Sequence, residues 1–107
     1  MRRVWFKKEM REAILSGKKT ATSRTHPLPL EEVQAVSGSR FNAKRFAILD
    51  IWERVQTRPS HVIGHLYSEE GFSSPDEMVD FMFTENLRWD ERLPLFFHRF
   101  KVVRLEP

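Results

Sequence analysis

Apolar positions along this chain change period several times, and each change marks an element. Phe6, Met10, Ala13 and Ile14 recur at helical spacing while Lys7, Lys8, Arg11 and Glu12 fill the other face, which predicts a helix over 7–16. Gly17 follows, where a residue that readily takes the left-handed conformation stops a helix. Residues 19–25 are polar and rich in β-branched side chains, the pattern of a short strand. Period two puts Thr20, Thr22 and Arg24 on one face of it and Lys19, Ala21 and Ser23 on the other. Lys19 and Thr22 can act together only if Lys19 sits in the turn before the strand, or if a bulge separates them.

His26-Pro27-Leu28-Pro29-Leu30 interrupts regular structure, because each proline removes a donor and restricts its predecessor. Ser37-Gly38-Ser39 is a second turn signal. Residues 46–55 form the clearest strand, with Ala47, Leu49, Ile51 and Val55 on one face and Phe46, Ile48 and Trp52 on the other. Being apolar on both faces in its first half, it is expected at the centre of a sheet. Residues 59–67 suit a short helix, irregular around Gly64.

Ser74-Pro75-Asp76-Glu77 is a helix start, with serine as cap, proline at the first position and glutamate in capping-box register. Met78, Phe81 and Met82 then form the buried stripe of a helix ending near Glu85. Pro94 opens a last strand over 95–104, whose Phe96, Phe97 and Phe100 read as core rather than as an RNA-stacking surface. Trp89 is expected to cover the open end of the sheet. With no internal repeat, low-complexity tract or linker, the economical arrangement is one α+β domain over 1–107, its sheet curled into a small barrel-like form.

Composition narrows the function classes. Hydrophobic residues at 40% and charged residues at 31% match an ordinary globular chain. No apolar run approaches the roughly 20 residues of a membrane span, and the charged N-terminus runs into no signal-like apolar stretch, so the expectation is a cytoplasmic protein without a membrane partner. The absence of cysteine excludes disulfides and thiolate chemistry. His61 and His65 have the spacing of a helical metal pair, but the zinc-protease glutamate is missing beside His61; neither a metal nor another cofactor is expected.

Charge is uneven along the chain. Residues 1–24 hold eight of the 18 basic residues against two acids, so they carry +6 and the remainder −3. Such a face favours a phosphate-bearing partner, although a solvated surface has the same composition.

The densest chemistry lies in Gly17-Lys18-Lys19-Thr20-Ala21-Thr22-Ser23-Arg24, with a possible acidic counterpart in Glu69-Glu70-Gly71-Phe72. A carboxylate can accept a hydrogen bond from an exocyclic amine, Lys19 and Arg24 can hold phosphate, and Phe72 or Trp52 can stack on a base. The run is not a nucleotide-triphosphate loop, since Glu12 stands where its first glycine is needed.

In the order of these features the chain resembles the ASCH domains (activating signal cointegrator homology), a group within the PUA-like β-barrels. The resemblance rests on the helix ending in Ile14-Leu15-Ser16-Gly17, the Lys18–Arg24 run, a central strand, Glu69-Glu70-Gly71-Phe72 ahead of a capped helix, and a final hydrophobic strand. It implies a small barrel with flanking helices and a cleft that recognises RNA or a modified nucleoside, with Lys18, Thr20, Arg24 and Phe72 in binding roles. Some small bacterial members look like amidohydrolases that remove an acetyl group from cytidine. Their motif roles fall here on Lys19 as proton acceptor, Thr22 as nucleophile and Glu70 as proton donor, with Glu69 the neighbouring alternative. That chemistry requires a lysine well below its usual pKa of about 10.4. Recognition, deacetylation and a protein-interaction adaptor are the three readings.

Overall fold

The structure, a computed structural model, describes residues 1–106. Its elements are β1 (Arg3–Phe6), α1 (Lys8–Leu15), β2 (Ala21–Arg24), β3 (Glu32–Ser39), β4 (Asn42–Thr57), α2 (Pro59–His65), α3 (Pro75–Thr84) and β5 (Leu95–Leu105). The five strands form one sheet in the order β1-β3-β4-β5-β2, with β1 and β3 parallel and the other neighbours antiparallel. The sheet curls into a half-barrel flanked by three helices, the α+β arrangement expected from the sequence.

β4 is central, as its apolar first half requires, and it is longer than its hydrophobic segment. Asn42–Arg45 are exposed yet paired to β3, so backbone pairing extends the strand beyond its apolar stretch. Register shifts against β5 at Ile48/Leu49 and Ile51/Glu53 add twist to the longest strand pair and help it curl.

Two strands escape the periodicity reading. β1 spans only four residues, and its Phe6 fits the apolar face of the following helix equally well. β3 runs through Ser37-Gly38-Ser39, which reads as a turn in the sequence; the reversal comes one step later, at Arg40 and Phe41.

The local signals elsewhere act as their chemistry dictates. Gly17 ends α1 at φ +81°. The Ser74 hydroxyl accepts from the Glu77 N–H at 3.1 Å, and Glu77 reaches back to the Ser73 N–H at 3.3 Å.

Burial divides into two clusters. One is built on Val4, Phe6, Ile14, Leu49, Ile51 and Phe100, the other on Ala21, Val62, Phe72, Met78, Leu95 and Phe97. Met10 of α1 packs against both, so the line between the clusters runs beneath α1 and along the gap between the sheet's free edges, β1 and β2.

Candidate functional site

Backbone hydrogen bonds fix the two sequence motifs to each other before any side chain is considered. The Lys19 N–H donates to the Ala13 carbonyl at 2.9 Å, which ties Lys19 to the end of α1 and keeps it out of β2. The next two N–H groups, of Thr20 and Ala21, both donate to the Glu69 carbonyl at 2.8 and 3.0 Å. The turn holding Glu69-Glu70-Gly71 is therefore pinned to the start of β2. Gly71 lies at φ +103°, and a Cβ there would stand 3.1 Å from the Lys19 Cβ; only glycine lets the turn approach so closely without strain.

The result is a buried ionic cluster. Lys19 Nζ donates to Glu70 Oε1 at 2.8 Å and to the Glu70 carbonyl at 3.1 Å, and the Ser23 hydroxyl donates to Glu70 Oε2. Both charged side chains are nearly enclosed, Lys19 at 3% and Glu70 at 5% exposure. Burial pushes the Lys19 ammonium below its ordinary pKa, Glu70 pulls in the opposite direction, and the Arg24 charge pushes it down a little further. An ammonium has three N–H donors, so one remains beyond the two given to Glu70.

Arg24 closes the gap between the sheet's free edges. Its Nη2 donates to the Trp5 carbonyl of β1 at 2.6 Å, and its guanidinium lies 5.0 Å from the centre of the Phe6 ring. On β5, where His98 is the cross-strand partner of Thr22, its buried ring accepts from the Leu28 N–H through Nε2 at 2.9 Å and faces the Thr22 carbonyl through Nδ1 at 3.2 Å. That pattern assigns the proton to Nδ1 and a neutral ring. Burial lowers the His98 pKa in keeping with it.

Over the ionic cluster opens a cleft of about 290 Å3, at the small end of ligand pockets. Its polar floor is Lys19, Thr22, Ser23 and Glu70, with Arg24 and Lys7 at its sides. Its walls are aromatic and thioether groups, with Trp5 and Phe6 on one side and Phe72, Phe81, Met82 and Trp89 on the other.

Of the residues singled out in the sequence, Lys19, Thr22, Arg24, Glu70 and Phe72 meet at this cleft. Lys19 and Thr22 share it because Lys19 sits in the turn before the strand. Lys18 and Thr20 do not line it: Lys18 is exposed and reaches Glu77 at 3.9 Å, and Thr20 is exposed on the strand's approach. Trp52 lies on the outer surface beneath the Lys101 ammonium, 5.6 Å from its ring centre, and is not available to the cleft. Of the basic N-terminal residues only Lys7, Lys19 and Arg24 join the cleft.

Glu69 and Glu70 are also told apart. Glu69 takes the Arg99 guanidinium at 2.8 and 3.0 Å, while Glu70 faces the cleft. Phe97 and Phe100 are core, as expected. His61 and His65 are exposed, with ring centres 5.0 Å apart, and no metal-binding group of three or more ligands occurs among the described residues. No helix among these residues is long and apolar enough to cross a membrane.

Sequence reasoning missed Ser23, although it stands inside the motif, because strict alternation points it away from Thr22. Trp5 carries no signal in the sequence either, because its strand spans only four residues.

Known structures superpose on this arrangement over nearly its whole length. The ASCH protein of Zymomonas mobilis does so with a TM-score of 0.69 at 16% identity, over 96% of this chain and 70% of that one. This chain has the ASCH-domain fold. The ASCH domain of Lactobacillus crispatus gives a TM-score of 0.61 at 17% identity, over 92% of this chain and 72% of the other. A DUF984 protein of Enterococcus faecalis gives 0.64 at 19% identity, over 99% and 82%. No family model and no curated protein sequence matches the chain. At these identities the likeness of this ASCH fold to its neighbours is one of architecture, and the site must be argued from its own residues.

Proposed function

We propose that the cleft recognises a single nucleobase, either as a free nucleoside or as an unpaired base of RNA, in a cytoplasmic protein. The observation that carries this reading is the meeting of a buried Lys19–Glu70–Ser23 cluster with aromatic walls in one small cleft. A flat base needs π faces to stack on and a few fixed donors and acceptors for its edge. Trp5, Phe72 and Trp89 supply the faces. Glu70 accepts from an exocyclic amine, and the remaining Lys19 N–H donates to a ring nitrogen or carbonyl. Arg24 and Lys7 stand where a ribose phosphate would enter.

Deacetylation of N-acetylated cytidine is the second reading, favoured by one observation: a lysine pushed below its usual pKa by burial shares a wall with a buried threonine hydroxyl. In that reaction the proton shared by Lys19 and Glu70 rests on Glu70, and Thr22 Oγ1 attacks the acetyl carbonyl and passes its proton to the neutral Lys19 amine. The amide C–N bond breaks as the exocyclic amine takes a proton from Glu70, and water then hydrolyses the threonine ester to acetate. Recognition is placed first because two Lys19 donors are already committed to Glu70.

One experiment covers both. The four ribonucleosides and acetylcytidine are titrated calorimetrically into the protein, and acetylcytidine is followed by chromatography with wild type, Lys19→Ala and Thr22→Ala. Saturable binding without turnover supports recognition; turnover abolished by both substitutions supports the hydrolase. Absence of both binding and turnover overturns the proposal.

A further inference from the structure

The concave surface does not end at Trp89. A second hollow of about 250 Å3 lies next to the cleft, lined by Thr25, His26, Pro59, Leu93 and Pro94, and Trp89 and Thr25 border both spaces. Trp89, half-buried against the cluster of Phe72 and Leu95, therefore lines both hollows. We propose that the second hollow holds the base adjacent to the one in the main cleft, so that the ligand is a strand of at least two nucleotides with Trp89 between its bases. The proposal rests on the nucleobase reading of the main cleft.

The indole suits this position because it has two π faces, and each base stacked on an aromatic side chain in single-strand recognition adds affinity with little regard to sequence. Leu93 and the two prolines give the second hollow apolar walls suited to a flat ring. Pro59 is buried as the first residue of α2, so this wall is preformed. His26 is exposed on the rim, where its ring nitrogens can meet a base edge.

Between the two spaces the linking phosphate finds the Thr25 hydroxyl, which belongs to both, and Arg24 one residue earlier in the main cleft. Asp90 also lines the second hollow. Arg92 holds both its carboxylate oxygens, at 3.1 and 3.0 Å, so the pair presents little net charge to a phosphate.

The test compares calorimetric titrations of the four ribonucleosides, their 3′- and 5′-monophosphates and the matching dinucleoside monophosphates into wild type and Leu93→Glu. Leu93 is 59% exposed and lines only the second hollow, so the substitution leaves the fold and the main cleft intact. The expected result is a dinucleoside monophosphate bound about tenfold or more tighter than its nucleoside and monophosphates. That gain disappears in Leu93→Glu while nucleoside affinity is unchanged. Equal affinity for dinucleoside monophosphate and nucleoside overturns the second site alone, as does a gain matched by a monophosphate or one that survives Leu93→Glu. Failure of every ligand to bind overturns the main-cleft reading and this proposal with it.

Discussion

Glu69 and Glu70 are neighbours in one turn, and each holds a cation brought from a distant part of the chain, yet their surroundings could hardly differ more. Glu69 grips Arg99 on the outside of the sheet, where Arg99 also reaches Glu53; the three side chains are 28–40% exposed. The Glu69 and Glu53 carboxylates hold the Arg99 guanidinium firmly protonated. Glu70 grips Lys19 inside, with both partners at 5% exposure or less, and burial drives the Lys19 pKa down. A half-exposed network fastens β4, β5 and the turn together at little desolvation cost. A buried pair costs several kcal/mol per ion to dehydrate and is weak evidence for stability. Its position beneath an open aromatic cleft points instead to a ligand that makes use of fixed charge.

The largest expected effect comes from breaking the inner pair on one side. Glu70→Gln leaves the Lys19 ammonium buried without a counter-charge and is expected to lower unfolding stability by about 3–5 kcal/mol in urea titration near neutral pH. The loss has a sign in pH. Lys19 in the fold lies below the 10.5 of the unfolded chain, so between those values the unfolded state binds more protons and stability rises with pH. Removing Glu70 removes the group that opposes this shift, so the deficit of the variant against wild type is expected to shrink from pH 7 to pH 9.

His98 comes next, as the cross-strand partner of Thr22. His98→Leu leaves the Leu28 N–H and the Thr22 carbonyl without their partner and is expected to cost about 1–3 kcal/mol, measured by the same denaturation. In wild type the His98 pKa lies below its ordinary 6.5, so its contribution is intact above that value and declines as pH falls below it. His98→Leu should lack this decline between pH 6.5 and pH 5, which thermal melts across that range would reveal.

The outer network is expected to give less. Glu69→Gln should cost about 1 kcal/mol or less, because Arg99 stays hydrated and keeps Glu53. The difference between it and wild type should narrow in high salt. Smallest of all is the net effect of Lys19→Met combined with Glu70→Gln, which removes both buried charges and should return stability to within about 1 kcal/mol of wild type. A double variant as unstable as Glu70→Gln alone would assign the cost to lost packing rather than to an orphaned charge.

The same comparison marks how far the sequence could be read. α1, α3 with its Ser74 cap, β4 and β5 follow from local periodicity and capping chemistry, which act over a few residues. β1 and β3 depend on pairing with each other and with β4; β1 has only four residues, and a register shift between Ala35 and Val36 breaks the alternation of β3. At the site, the Lys19–Arg24 run and the Glu70–Phe72 turn both stand out by residue type. What could not be read is direction: adjacent glutamates turn opposite ways, Ser23 reaches Glu70 across 47 positions of sequence, and Lys18 and Thr20 flank Lys19 without entering the cleft. Those outcomes are decided by backbone bonds to Ala13 and Glu69, which no local pattern encodes.

The measurement that bears most directly on the central claim is a calorimetric titration of ribonucleosides into wild type, Glu69→Gln and the Lys19→Met/Glu70→Gln double variant, with circular dichroism to establish that all three are folded. Wild type and Glu69→Gln are expected to bind one equivalent of a nucleoside with the same affinity, and the folded double variant to bind none. A wild type that binds no nucleoside, or a double variant that binds as tightly as wild type, would contradict the assignment of the inner cluster as the floor of a nucleobase site.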